Sequence, residues 1–191
     1  MRLHHITWLL VPLALFGFAA PAFDEPQEVP TSRVTISSDE DAVARAIKAF
    51  YDVISGPKGQ KRDWNRFRQI CVKDCIFTGI THTAPDRARS RRMTVDDYIT
   101  GAGPYLEETG FFERELHRKL HIYGNVAHAF SSYASFHAAK DESPFARGIN
   151  SIQLIKTPAG WKVFSILWQQ EAGFLPIPPT YLPKTPKSQG R

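Results

Sequence analysis

FFERELHRKLHIYGNVAHAFSSYASFHA, Phe111 to Ala138, alternates apolar and polar residues with a period of two on both sides of Gly124-Asn125. That dipeptide suits a tight hairpin turn, so the stretch reads as two long antiparallel strands. The turn sets the register: Tyr123 lies opposite Val126, Ile122 opposite Ala127, His121 opposite His128 and Leu120 opposite Ala129. One face then carries Ile122, Leu120, Arg118, Leu116, Ala127, Ala129, Ser131 and Tyr133. It is the more apolar face and is expected under a helical layer, where burial is worth about 25 cal/mol per Å². The other carries Tyr123, His121, Lys119, His117, Glu115, His128, Phe130 and Ser132 and reads as the outer face. Toward one end of the apolar face Arg118, Ser131 and Tyr133 intrude. Buried polar groups need partners or a wet cavity, so Ser131 and Tyr133 are expected to look into a chamber between sheet and helices. A tyrosine hydroxyl that merely satisfies a backbone group is the plainer alternative.

Downstream, RGINSIQLIK turns at TPAG into WKVFSILWQQE, a second hairpin. The tail AGFLPIPPTYLPKTPKSQGR is too rich in proline to continue the sheet. It is expected along the surface, anchored by Phe174, Leu175, Ile177 and Tyr181 and frayed at KTPKSQGR. Upstream the period is helical. Ser37 and Glu40 form a capping box before a stripe of Val43, Ile47, Phe50 and Ile54, and Ser55-Gly56-Pro57 stops that helix. RDWNRFRQIC offers Asp63 as the cap of a short second helix with Trp64, Phe67 and Cys71 on one side. DCIFTGI reads as a short strand and DRARSRR, Asp86 to Arg92, as a solvated basic loop. A third helix opens on the cap pair Thr94 and Asp97, with Val95, Tyr98, Ile99, Ala102, Tyr105 and Leu106 at helical spacing. Gly103-Pro104 is expected to kink it or end it early. Three helices followed by long antiparallel strands make an α+β layer protein.

A chain of 191 residues fits one domain with tails and can bury roughly 68–70% of its unfolded surface without metal or disulfide. Its start, MRLHHITWLLVPLALFGFAAPAF, places Arg2 before an apolar run from Ile6 to Ala20 and then Ala20-Pro21-Ala22, the pattern of a secretory signal peptide cleaved after Ala22. A membrane anchor is the rival, but that run spans only about 22 Å as a helix, against about 30 Å of hydrocarbon. The expected organisation is a signal peptide over 1–22, a linker over 23–37, a folded domain over 38–171 and a tail over 172–191. The mature protein is expected to be soluble, in the periplasm or secreted, with no stable membrane span. The net charge of +5 is too mild and too dispersed to demand a nucleic-acid partner. Cys71 and Cys75 could bridge in an oxidising compartment, but four apart on a helix they would be poorly aimed, and two small buried thiols are preferred. His117 and His121 lie about 13 Å apart along a strand, so the histidines do not converge and no metal or cofactor is expected. No Ser-His-Asp order, phosphate-cradling glycine loop or HExxH motif is present.

AIKAFYDVISG, RDWNRFRQIC, YGNVAHAFSSY and RGINSIQLIKTPAGWKVFSILWQQE, in this order, resemble the nuclear transport factor 2-like superfamily, also called SnoaL-like or ketosteroid-isomerase-like, over residues 38–171. The nearest look is to its secreted members. The resemblance implies a cone-shaped, curved antiparallel sheet packed on three N-terminal helices around an internal pocket, often dimerised through the sheet. Such proteins include isomerases, dehydratases, cyclases, epoxide hydrolases and non-enzymatic modules, and a fold cannot choose among them. Candidate pocket residues are Trp64, Tyr98, Arg118, Ser131, Tyr133, Asn150, Gln153 and Trp168, since a few polar groups among aromatics suit a small, mostly apolar organic ligand. Asn150 and Gln153 differ in parity, and a bulge could decide which faces inward.

In the isomerase branch the resemblance implies a cavity carboxylate as proton shuttle, at positions that here hold Thr78-Gly79, and a protonated acid near Asn150 to Gln153. Neither position is a carboxylate. Proton abstraction lacks its base there, and Tyr133, with an ordinary pKa near 10, is a poor substitute. The leading expectation is therefore a secreted domain that binds a small ligand, with weak lyase or isomerase chemistry as its extension; whether any reaction is catalysed stays open. The alternative is a non-enzymatic association module, a homodimer pairing through the outer face that carries His121, His128 and Phe130.

Overall fold

The hairpin at Gly124-Asn125 forms in the expected register, with Tyr123 opposite Val126 and Leu120 opposite Ala129. Gly124 takes φ +55°, a left-handed value that a residue with a Cβ adopts only under strain. A computed structural model describes residues 36–82, 84 and 87–184. The expected signal peptide, its cleavage site, nearly all of the linker and residues 185–191 lie outside the described residues. In chain order the elements are α1 Ile36–Ile54, α2 Trp64–Ile70, β1 Cys71–His82, β2 Ala88–Thr94, α3 Val95–Thr109, β3 Phe112–Tyr123, β4 Val126–Phe136, β5 Ala146–Thr157 and β6 Gly160–Gln170. The strands form one curved, unclosed sheet in the order β2-β1-β6-β5-β4-β3. Among the described residues no helix is long and apolar enough to cross a membrane.

The architecture is α+β, as expected, but the sheet is mixed. β1 runs parallel to β6, while every other neighbouring pair is antiparallel. Parallel neighbours require a long crossover, and the chain from β2 through β5 provides it. The third helix accordingly follows two strands instead of preceding the sheet. Within DRARSRR, residues 88–92 are solvent-exposed, yet they belong to an edge strand: β2 pairs with β1 from Ala88 to Thr94.

Local signals explain most of the helices. Asp63 caps α2 by accepting from the Arg66 N–H at 2.9 Å, and Thr94 and Asp97 make the reciprocal capping box of α3. α1 begins at Ile36, so Ser37 lies inside the helix and not before it. α3 runs on through Pro104 to Thr109. The carbonyl that this proline leaves without its helical donor belongs to the exposed Thr100, where water can serve it. Gly103 is needed for close approach, since a Cβ there would lie 3.1 Å from the Trp64 ring.

The core lies between the helices and one face of the sheet. Val43 and Ile47 of α1, Phe67 of α2, Phe77 of β1, Ile152 and Leu154 of β5 and Val163 of β6 are essentially inaccessible. Phe67, Phe77 and Tyr98 stack with ring centroids 5.0–5.5 Å apart, bringing α2, α3 and β1 together. Asp39 ties the start of α1 to the second hairpin by accepting from Lys156 Nζ at 2.8 Å and Trp161 Nε1 at 3.1 Å. Cys71 and Cys75 are buried free thiols. They sit on β1 across an irregularity that separates Cys71 from Ile76, so helical spacing does not govern them.

Two features re-aim side chains. A bulge falls between Glu115 and His117 of β3; beyond it Glu115 pairs with Tyr133 and Glu113 with Ser135. One extra residue reverses strand parity, so Glu115, expected on the outer face, turns to the helix side together with Glu113. The tail straps across the outer face. Ile177 is buried, the Tyr181 ring lies 4.9 Å from Phe130, and Ser132 Oγ donates to the Tyr181 carbonyl at 2.6 Å. Phe174 and Leu175, also expected as anchors, stay 47% and 41% exposed. The strap thus occupies Phe130 and Ser132 on the surface that the association reading needed.

Candidate functional site

A cavity of about 240 Å³ opens between the helices and the inner face of β4, β5 and β6. An apolar cavity of about 150 Å³ takes one benzene, so this space suits a small ring system with substituents. Phe50 of α1, Tyr98 of α3 and Trp168 of β6 form much of its wall, and Glu113, Tyr133, Ser135 and Asn150 give it polar groups. The exposed Phe145 and Gln170 mark the end that reaches the surface.

Each group is placed by its element. Tyr133 points inward from β4 over Gly148, where a Cβ would meet the Gln169 carbonyl and lie 2.5 Å from the Tyr133 hydroxyl. Trp168 lies over Gly79 in the same way, its ring 2.8 Å from where a Cβ would be. Asn150 is opposite both Ser131 and Trp168 in the sheet. Glu113 reaches the cavity because of the bulge. Its Oε2 accepts from Ser135 Oγ at 3.1 Å and its Oε1 from Asn150 Nδ2 at 3.2 Å.

Burial sets the electrostatics of Glu113. Burial, which disfavours the charged form, pushes its carboxyl up to about 7, while the bonds from Ser135 and Asn150 hold it from going higher. Burial, followed by the charge of Glu113, likewise raises the Tyr98 and Tyr133 phenols, which stay protonated donors. Behind the cavity wall the polar chain continues. Asn150 Nδ2 donates to Tyr51 Oη at 3.0 Å, Tyr51 Oη lies 2.8 Å from Ser131 Oγ, and Ser131 Oγ donates to Glu115 Oε1 at 2.6 Å. Arg118 closes it on Glu115.

Of the eight residues expected at the site, Tyr98, Tyr133, Asn150 and Trp168 border the cavity. Ser131 and Arg118 belong to the chain behind it. Trp64 packs edge-on against Phe67, centroids 5.6 Å apart, away from the cavity. Gln153 is exposed on the outer face, where it accepts from Ser165 Oγ at 2.8 Å, so the parity question resolves in favour of Asn150. The residue that sequence reasoning missed is Glu113. Unbroken alternation places it outside, and nothing in FFERELH marks the bulge that brings it in. A larger hollow of about 380 Å³ lies beneath the tail on the outer face, lined by Phe130, Ile149, Leu167 and Ile177 among others. Its acid, Glu171, is held below the usual carboxylate range by Arg147, so this hollow offers no group poised for proton transfer near neutrality.

No protein-family model matches the chain, and neither does any curated protein. Solved structures do match. A nuclear transport factor 2-like protein with a cystatin-like fold from Novosphingobium aromaticivorans superposes with TM-score 0.57 at 14% identity, over 74% of this chain and 87% of its own. A protein of that family from Streptomyces avermitilis, provisionally assigned as a dehydratase, matches with TM-score 0.54 at 13% identity, over 72% and 99%. A second Novosphingobium aromaticivorans protein, provisionally assigned as a scytalone dehydratase, matches with TM-score 0.53 at 14% identity, over 72% and 87%. The chain has the nuclear transport factor 2-like fold.

Proposed function

We propose that this protein is an acid–base enzyme that moves a proton on a small, uncharged, mostly apolar organic molecule, in a dehydration or isomerisation next to a carbonyl. The observation that carries this reading is Glu113, a carboxyl held near neutrality at the wall of a cavity also lined by Tyr98 and Tyr133. A general base works best when its pKa lies near the working pH, and burial in a partly apolar site is the usual way to bring a glutamate there. Glu113 takes the proton from carbon. Tyr98 and Tyr133 donate hydrogen bonds to the oxygen on which negative charge develops, and Glu113 then returns the proton to the product or to a leaving hydroxyl. Among the described residues no Lys or Arg borders the cavity, so an anionic substrate would find no counter-ion there. The two dehydratase assignments among proteins of the same fold support this chemistry by analogy only.

The test does not require the natural substrate. β-Tetralone, a neutral ketone whose ring is fused to benzene, exchanges its α-protons in heavy water, and proton NMR reads the rate. The wild-type protein is expected to speed this exchange, and Glu113→Gln to lose roughly 100-fold or more of the acceleration. No acceleration by the wild type, or equal acceleration by the variant, would remove the assignment.

A further inference from the structure

The hydrogen-bonded chain behind the cavity has a direction that its end fixes. Arg118 holds Glu115 through both carboxylate oxygens, Nε to Oε1 at 2.9 Å and Nη2 to Oε2 at 2.8 Å, in a pair with only about a fifth of either side chain exposed. A carboxylate so paired is ionised and can only accept. Ser131 Oγ, 2.6 Å away, must therefore direct its single proton to Glu115. Its oxygen is then the acceptor for Tyr51 Oη at 2.8 Å. Tyr51, having donated, can only accept from Asn150, and this forces the amide nitrogen of Asn150 to lie toward it, at 3.0 Å. The second proton of that nitrogen reaches Glu113 Oε1 at 3.2 Å. Tyr51, Ser131 and Asn150 are all at least 96% buried, so water does not substitute for the links between them.

We propose that the Glu115–Arg118 ion pair, acting through Ser131 and Tyr51, locks Asn150 as a hydrogen-bond donor to Glu113 and so makes Tyr51, Ser131, Glu115 and Arg118 positioning residues for the cavity carboxylate. An amide can present either its nitrogen or its oxygen with little change of shape. The nitrogen stabilises the carboxylate; the oxygen would accept a bond from the protonated acid and stabilise that form. The chain removes the second option and keeps Glu113 able to act as a base. The significance of this device rests on the acid–base reading above, whereas its test reads the carboxyl itself and stands apart from turnover.

The titratable and charged groups around Glu113 are Tyr51 from α1, Tyr98 from α3, Tyr133 from β4 and, on its own strand, Glu115 with Arg118. Asn150, Trp168 and Gln170 approach from β5 and β6 uncharged. NMR of isotope-labelled glutamate carboxyls in the full chain, with Glu113 assigned by its loss in Glu113→Gln, follows the midpoint directly. In Tyr51→Phe, which changes no charge, the Glu113 midpoint is expected to rise by about half to one pH unit, the scale of one hydrogen bond to a neutral acid. Glu115→Gln is the sharper variant. Losing a neighbouring negative charge would by itself lower the midpoint, whereas a reversed or broken chain raises it. A rise supports the proposal; a fall or no change in a folded Glu115→Gln overturns it, and so does an unmoved midpoint in a folded Tyr51→Phe. A wild type that moves no ketone proton while these shifts appear would defeat the catalytic reading and leave the positioning intact.

Discussion

At the scale of single residues, the pH dependence of stability follows from Glu113. Its folded carboxyl titrates at about 7, against an ordinary value of 4.5, so between those values the folded state binds more protons than the unfolded one. Its contribution to stability is fully present below pH 4.5 and is lost as pH rises through 7, on the order of 3 kcal/mol in all. Glu113→Gln removes the buried charge and is expected to be more stable than the wild type at pH 8, with the difference shrinking toward pH 5. Thermal melts of both proteins across that range decide it; a variant less stable at pH 8 would show that burial does not strain the carboxylate. Little of this was legible in sequence. The residue types that make the site were visible in part, because Tyr133 interrupts an apolar face, but the facing of Asn150 was open and Glu113 follows the alternation of an outward residue. Its direction depends on a backbone bulge with no side-chain signature.

The elements show how closely the cavity depends on its floor. Tyr133 and Trp168 can lie against the sheet only because Gly148 and Gly79 leave their places empty. Gly148→Ala puts a methyl group against the Tyr133 hydroxyl and the Gln169 carbonyl, and neither the phenol nor the β6 backbone can yield freely. A loss of about 1–3 kcal/mol is expected in urea denaturation, together with displacement of the Tyr133 ring. An unchanged midpoint would mean that the tyrosine moves without resistance. Helix caps were legible where side chain and backbone are neighbours in sequence: Asp63 for α2, Thr94 with Asp97 for α3. β2 was not, because its arginines look like solvent-facing loop residues until β1 supplies the hydrogen bonds. Pairing between distant segments, and not composition, makes residues 88–92 part of a strand.

For the whole molecule, the C-terminal strap is the element with the widest reach. Glu171 pairs with Arg147 at 2.7 Å and accepts from the Ile177 N–H at 2.9 Å, while Thr180 and Tyr181 are held by Lys119 and Ser132. Deleting residues 174–191 uncovers Phe130 and removes the buried Ile177, whose burial alone is worth about 1.5–3 kcal/mol. A fall in Tm of several degrees is expected, and an unaltered Tm would show that the strap lies on the sheet without stabilising it. The amino-acid sequence by itself determined the two hairpins, the register of the first at Gly124-Asn125 and the apolar stripes of the helices, because these depend on periodicity and on contacts between near neighbours. Tertiary structure alone decided that β1 lies parallel beside β6, that Gln153 faces out and Asn150 in, and that two glutamates turn toward the helices. Those outcomes depend on where strands meet and on one extra residue in β3, and a shift of one residue exchanges the faces of everything beyond it.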